Sequence, residues 1–203
     1  MALGDIGSYE GYGFRLAAVT GLLTGTINGS IFSFRNATAN RKVRILAVNV
    51  NAAGSFSAAG NLSLSMFAAR NWTAVDTGGT NLAALSAGNN SNKLRTSQNA
   101  SFILGQATGN VQVATTAALT AGTRTLDSNA MGNIVAFVPT GGANIIQDVP
   151  LYSDYTTIYG VPLVLAQNEG FVVNANGVAG ANTYQVGFSV LYAEVDGGAA
   201  GTG

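Results

Sequence analysis

The sequence contains no histidine and no cysteine, and these two absences remove many of the side chains that enzymes use at neutral pH. Without histidine the chain lacks the commonest general base, the commonest zinc ligand and the usual pH switch. Without cysteine it can form neither a disulfide nor a thiolate nucleophile. We therefore expect a protein that is not an enzyme and that holds no metal ion and no cofactor.

Charged residues are also scarce. They make up 9% of the 203 residues, whereas hydrophobic residues make up 47%, and a typical soluble protein is about 25% charged. Most of the polar surface must then consist of Asn, Thr, Ser and Gly, and burying such a surface strips water from few full charges. This composition favours assembly with other protein subunits. The alternative is a soluble monomer with a neutral polar coat.

No long apolar run is present. The chain lacks the roughly 18 consecutive apolar residues of a membrane helix, and its first residues lack the basic and apolar regions of a signal peptide. We expect a soluble protein made in a cytoplasm, with no membrane partner. Nucleic acid is not an expected partner either, because the nine basic residues are scattered rather than concentrated on one stretch.

The two halves of the chain carry opposite charge. Up to residue 124 there are nine basic and three acidic residues, and after it there are six acidic and no basic residues. The halves either neutralise each other within one domain or pair between subunits. Arg41, Lys42 and Arg44 form the only dense basic cluster, which is either a solvated turn or a contact for an acidic partner surface.

The apolar residues recur with the period of β-strands. Alternation is regular in residues 61–66 and from Tyr184 to Tyr192. Residues 43–51 contain two phases of alternation, which predicts a bulge or a strand covered on both faces. A change of phase near Ala193 predicts a bulge there, with Glu194 and Asp196 outside. Further strands are expected near residues 27–34, 81–86, 102–104, 111–115, 133–138, 144–149, 162–166 and 170–174.

About ten short strands separated by Gly, Asn and Ser turns predict an all-β protein, an antiparallel β-sandwich of jelly-roll-like form. We expect this single domain to span residues 14–196. Residues 1–13 are predicted to be a flexible N-terminal arm and residues 197–203 a disordered Gly/Ala tail. Residues 117–131 fit either a short helix or a long loop.

One triplet matches a motif that is found in catalytic sites. Asp76-Thr77-Gly78 is the form in which aspartic proteases present a carboxylate, but that chemistry needs two aspartates that share a proton. The chain has no second such triplet, and Gly79 follows directly. The sequence therefore favours a turn.

Aromatic and basic side chains supply the candidates for partner contact. Tyrosines in a loop-like stretch, residues 151–160, are typical interface anchors, although they could instead cap the core or stack on a glycan. Aromatic residues near the N-terminus could strap the arm to a neighbour, or the arm could simply be disordered. With the basic cluster, the interface candidates are Tyr9, Tyr12, Phe14, Arg41, Lys42, Arg44, Tyr152, Tyr155 and Tyr159.

Several segments taken together resemble the structural proteins of tailed phages, over roughly residues 40–196. They are FAARNW at 67–72 followed by DTGGT at 76–80, NKLRTS at 92–97, TAALTAGTRTLD at 116–127, PLVLAQNEGF at 162–171 and YAEV at 192–195.

This resemblance implies a virion protein of the decoration (cement, head accessory) type, on the capsid surface. Its implied partners are further copies of itself, as a jelly-roll homotrimer, and a major capsid protein. The alternatives are a fibre or tail accessory protein that recognises a host receptor or glycan, and a single-jelly-roll major capsid protein. The family has no catalytic residues to transfer.

Overall fold

All the regular elements of the structure, a computed structural model, are β-strands. No helix long and apolar enough to cross a membrane occurs in the described part of the chain. The structure describes residues 13–24, 27–39, 41–82, 110–154, 163–177 and 182–196. The strands are β1 (Gly13–Val19), β2 (Leu23–Thr24), β3 (Asn28–Asn36), β4 (Arg41–Phe56), β5 (Gly60–Arg70), β6 (Gly79–Asn81), β7 (Val111–Ala114), β8 (Thr125–Leu126), β9 (Gly132–Val138), β10 (Gly141–Ser153), β11 (Val164–Leu165), β12 (Glu169–Asn176) and β13 (Thr183–Asp196).

The strands form two antiparallel sheets. Sheet A has the order β1-β13-β4-β10, with β2 beside β13 and β11 beside β4. Sheet B has the order β6-β7-β3-β12-β5-β8, with β9 beside β5. Four pairs are nested: β1 with β13, β3 with β12, β4 with β10 and β5 with β9. A long hairpin rolled into two sheets gives this nesting, so the predicted jelly-roll-like β-sandwich is confirmed.

The core lies between the two sheets and is rich in stacked rings. Phe32 of sheet B stacks on Phe188 of sheet A, with ring centroids 4.6 Å apart. Phe34 stacks on Phe171 within sheet B at 5.2 Å. All four rings are buried, and aromatic pairs in such geometry add stability beyond the area they bury. The alternation of each strand therefore points its large apolar side chains at the facing sheet.

The bulge expected in residues 43–51 is confirmed. Ile45 pairs with Tyr192 and Ala47 with Leu191, so Leu46 is an extra residue with no partner on β13. The extra residue changes the phase of β4. As a result, the apolar residues on both sides of the bulge are buried, namely Val43, Ile45, Val48 and Val50.

The change of phase expected near Ala193 is wrong. Tyr192 and Glu194 are both buried, as is Val190, so the even-numbered residues of β13 keep facing the same way. The irregularity between these strands is carried by the extra residue on β4. Glu194 is 2% exposed, where the sequence placed it outside. Ala193 is buried as well, so this end of sheet A is covered on both faces.

Two loops cover part of the outer face of sheet B. Residues 71–78 and 115–124 meet through a β-bridge between Thr77 and Thr120. Trp72 packs there with Ala69 and Val172 in a small second apolar cluster. The predicted choice between helix and loop at 117–131 is resolved as loop, interrupted only by β8. Of the strand expected at 81–86, only its first residue lies in β6; residues 83–86 and 102–104 lie outside the described residues.

Candidate interaction surfaces

Asp76, the carboxylate of the D-T-G triplet, belongs to the loop of residues 71–78 and is fully buried where this loop meets the loop of residues 115–124. It accepts a hydrogen bond from the backbone N–H of Gly122 at 2.8 Å and is ion-paired with Arg124. Burial raises the pKa of Asp76, against the opposing effects of Gly122, Arg124 and the Ser33 hydroxyl. No second carboxylate of the described residues shifts this pKa. The geometry is therefore that of a structural ion pair, and not of two carboxylates sharing a proton.

Gly78, the last residue of the triplet, confirms the predicted turn. Gly78 has φ +81°, a left-handed conformation that glycine adopts without steric cost. The chain turns there and enters β6. The D-T-G pattern is thus explained by a buried acid followed by a turn glycine.

Arg124 ties the covering loops to sheet B. Its Nη2 donates to Ser30 Oγ at 2.9 Å, and Ser30 Oγ donates to Asn174 Oδ1 at 2.8 Å. Its guanidinium carbon lies 5.0 Å from the centroid of the Trp72 ring, within the range of a cation–π contact. Sequence reasoning missed this role, because Arg124 and Asp76 are 48 residues apart and no local motif joins them.

Only some of the predicted interface residues can be placed. Phe14 requires a correction, because its side chain is 1% exposed and stacks on Tyr192 at 5.6 Å in the core. It therefore stabilises its own domain and presents no ring to a neighbour. Lys42 is exposed on β4. Four of the predicted tyrosines lie outside the described residues, namely Tyr9, Tyr12, Tyr155 and Tyr159. Arg41 is described by its backbone alone.

Arg44 and Tyr152 make their contacts within the chain. Arg44 forms an ion pair with Asp154 at 2.6 Å, and the two side chains are 13% and 5% exposed. The Tyr152 hydroxyl accepts a hydrogen bond from the backbone N–H of Leu163 at 3.0 Å. Desolvation raises the pKa of this tyrosine. Both residues hold the β10 end of sheet A in place.

The basic and acidic halves of the sequence pair within this single chain. Arg44 meets Asp154, and Arg70 meets Asp127 at 2.6 Å. The register of β4 and β13 also sets Arg41 opposite Asp196. These pairings support neutralisation inside one domain, the first of the two readings of the charge pattern.

The free edge of β9 is the most apolar exposed feature of the described residues. β9 pairs with β5 without a register shift from Gly132 to Val138. On its other side no described strand is hydrogen-bonded to it, although β10 approaches it closely where Gly132 meets Leu151. Val135 is 59% exposed and Phe137 is 68% exposed, the highest value among the described large apolar residues. Because alternate residues of a strand share a face, these two side chains form one stripe. β9 contains no charged residue.

The neighbouring edge, β10, is built differently. Its pairing with β4 contains three register shifts, and it includes Pro150 on the exposed side. Asp148 is exposed and has φ +43°, a left-handed conformation that is uncommon for residues other than glycine. Bulges, proline and charge are the means by which proteins prevent a sheet edge from pairing with another chain. β10 has all three and β9 has none, so β9 is the more open of these two neighbouring edges.

No family model, no curated protein and no solved structure matches this chain. A jelly roll by itself does not define a function, because unrelated activities share the fold. Function is therefore inferred from the surfaces described above.

Proposed function

We propose that the protein is a non-enzymatic structural component of a virus particle, a capsid decoration (cement) protein of a tailed phage. It binds the assembled shell and stabilises it through contacts between subunits. The observation that carries this proposal is the open edge of β9, where Val135 and Phe137 are exposed on a regular, uncharged strand. Monomeric proteins protect such edges.

Two further observations support the proposal. The nested jelly roll is a common architecture of viral capsid proteins, although lectins and cupins share it. The segments quoted above, from residue 67 to residue 195, resemble those of tailed-phage structural proteins. Together with the low charge, they favour a particle component over a binding protein that acts alone.

The proposed mechanism is mechanical. An added strand would satisfy the backbone N–H and C=O groups on the outer side of β9 and cover the Val135–Phe137 stripe. Few charges would lose water in that contact, because β9 itself contains no charged residue. A ligand that binds only the assembled shell stabilises that state by mass action, and many symmetric copies turn weak contacts into firm retention.

Rebinding to shells tests the proposal. Virions of the phage that encodes the chain are stripped of it, incubated with purified protein and imaged by electron microscopy. We expect wild type to restore density on the shell and Val135→Lys/Phe137→Lys to leave the shell bare. Ala74→Lys/Thr80→Lys, which adds two lysines at exposed positions outside β9, is the matched control and should bind like wild type.

Urea unfolding of each variant checks that the fold is kept. We expect it to be kept, because Val135 and Phe137 are largely exposed. Full shell occupancy by Val135→Lys/Phe137→Lys would overturn the role of the β9 edge. Wild-type protein that fails to bind shells, or that is found only at fibre tips, would overturn the assignment as a decoration protein.

A further inference from the structure

The sandwich has a second open edge on the side opposite β9. β1 is the terminal strand of sheet A, whereas β10, next to β9 at Gly132 and Leu151, ends the sheet on the other side. The turn after β1 contacts the far side of sheet B as well, because the N–H of Gly21 donates to Ala114 O of β7 at 3.0 Å. The edges of β1 and β9 therefore lie on opposite lateral sides of one domain.

The β1 edge matches the β9 edge in length and in character. Both strands have seven residues and pair without a register shift on one side, β1 with β13 and β9 with β5. Val19 at the end of β1 is 60% exposed, and Leu22 in the following turn is 51% exposed. Within the described part of the chain, each edge thus offers backbone groups without a strand partner next to two exposed apolar side chains.

The two sides of the domain also carry charges of opposite sign. Arg15 on β1 and Asp148 on β10 line opposite ends of a groove of about 500 Å³ on the outer face of sheet A, with Gly187 between them. Neither has an ion-pair partner among the described residues; Arg15 Nε donates to Ser189 Oγ at 3.0 Å. If a second copy lies beside the first, edge to edge, the Arg15 of one copy approaches the Asp148 of the next.

We infer that copies of this chain associate head to tail, with the β9 edge of one copy against the β1 edge of the next. This inference rests on the proposed function and names the partner of the β9 edge as a second copy. The contact uses two different surfaces and is therefore heterologous. Heterologous contacts that close form rings of three or more copies, and the predicted homotrimer is the smallest of these.

Complementary edge variants test the inference. Val19→Glu/Leu22→Glu removes the β1 surface, and Val135→Glu/Phe137→Glu removes the β9 surface. In native mass spectrometry we expect a ring for wild type and monomers for each variant alone. An equimolar mixture retains one intact pair of surfaces and should give 1:1 dimers that do not grow further. Ala74→Glu/Thr80→Glu is the matched control and should form the wild-type ring.

A contact between two copies of the same surface predicts a different result. One variant would then keep its oligomer, and the mixture would contain no 1:1 dimer of the two variants. Either observation, or a wild-type protein that stays monomeric at all concentrations, would overturn the head-to-tail contact.

The charge pair supplies a second measurement that does not depend on the apolar residues. Arg15→Gln and Asp148→Asn should each weaken association about two- to fivefold at low salt, the range of an exposed ion pair. The double variant should be no weaker than either single variant. Asn is chosen because it tolerates the left-handed backbone of position 148. Additive losses in the double variant would show that the two side chains do not meet.

Failure of this inference can be told apart from failure of the proposed function. If wild type is monomeric but binds shells, and Val19→Glu/Leu22→Glu binds them equally well, the β9 edge contacts the shell directly and the ring is wrong. If wild type forms the ring but does not bind shells, the ring stands and the decoration function is wrong.

Discussion

Arg124 neutralises Asp76 in the interior of the protein, where the two side chains are 4% and 0% exposed. The pair joins two loops to sheet B, since Asp76 also binds Gly122 and Arg124 also binds Ser30. Burial raises the pKa of Asp76 and lowers that of Arg124, so each charge is kept by the presence of the other. The pair therefore determines local structure more than it adds net stability.

Removal of one partner should be costly. We expect Arg124→Met to lower the free energy of unfolding by about 3–5 kcal/mol, because Asp76 is then left buried without its cation. Asp76→Leu/Arg124→Met should lose less than Arg124→Met alone, because no unpaired charge remains. Urea denaturation measures both. A double variant less stable than the single one would contradict this account.

The two ion pairs between the sequence halves should differ in strength because they differ in burial. Arg70 and Asp127 are 61% and 33% exposed, and we expect Arg70→Ala to leave the free energy of unfolding almost unchanged. Arg44 and Asp154 are 13% and 5% exposed, and we expect Arg44→Ala to cost about 3 kcal/mol. Urea unfolding at low and high salt compares them. Equal losses for the two variants would show that burial does not set the strength of these pairs.

Alkaline pH should unfold the protein through its buried tyrosines. Burial raises the pKa of Tyr184 from 10.0 to about 12, and it also raises the pKa of Tyr192 well above its usual value. An acid whose pKa is higher in the folded state contributes stability that is present below pH 10 and lost as the pH rises through 12. We expect the free energy of unfolding to fall over this range.

Tyr184→Phe is the control for this pH dependence. The Tyr184 hydroxyl is buried and has no hydrogen-bond partner among the residues that the structure describes, so its removal should cost little stability at pH 7. The variant should lose less stability than wild type between pH 10 and pH 12. An identical decline in both proteins would show that Tyr184 does not contribute to alkaline unfolding.

Gly132 sets the spacing between β9 and β10. A Cβ at this position would overlap the carbonyl oxygen of Leu151. We expect Gly132→Ala to force the two edges apart and to cost about 1–3 kcal/mol. Gln147→Ala, at an exposed position of β10, is the control and should stay within about 0.5 kcal/mol of wild type. If Gly132→Ala were equally neutral, the close approach would be unimportant for stability.

The sequence predicted the strands in which one face is polar. β5 and β13 were clear because Leu62, Leu64 and Met66, like the even-numbered residues of β13, alternate with polar residues. The bulge at Leu46 was visible as a change of phase. β1 was not predicted, because Ala17 and Ala18 weaken its alternation, and β2 and β8 have only two residues each.

The interaction surface was harder to predict than the fold. Phe14 and Phe137 are the same residue type within similar strands, yet one is 1% and the other 68% exposed. The difference arises because β1 presents Phe14 to the facing sheet whereas Phe137 lies on the outer face of sheet B. Local sequence does not encode which face is covered. The same limit explains why Glu194 was placed outside and why Arg124 went unnoticed as the partner of Asp76.

β13, the last of the described strands, is a central strand of its sheet. β13 lies between β1 and β4, and sheet A cannot form without it. Synthesis must therefore reach residue 196 before the two halves of sheet A can join, so this long-range pairing delays folding of the domain until β13 has been made. Fragments truncated before residue 183 would expose β1 and β4 to other chains.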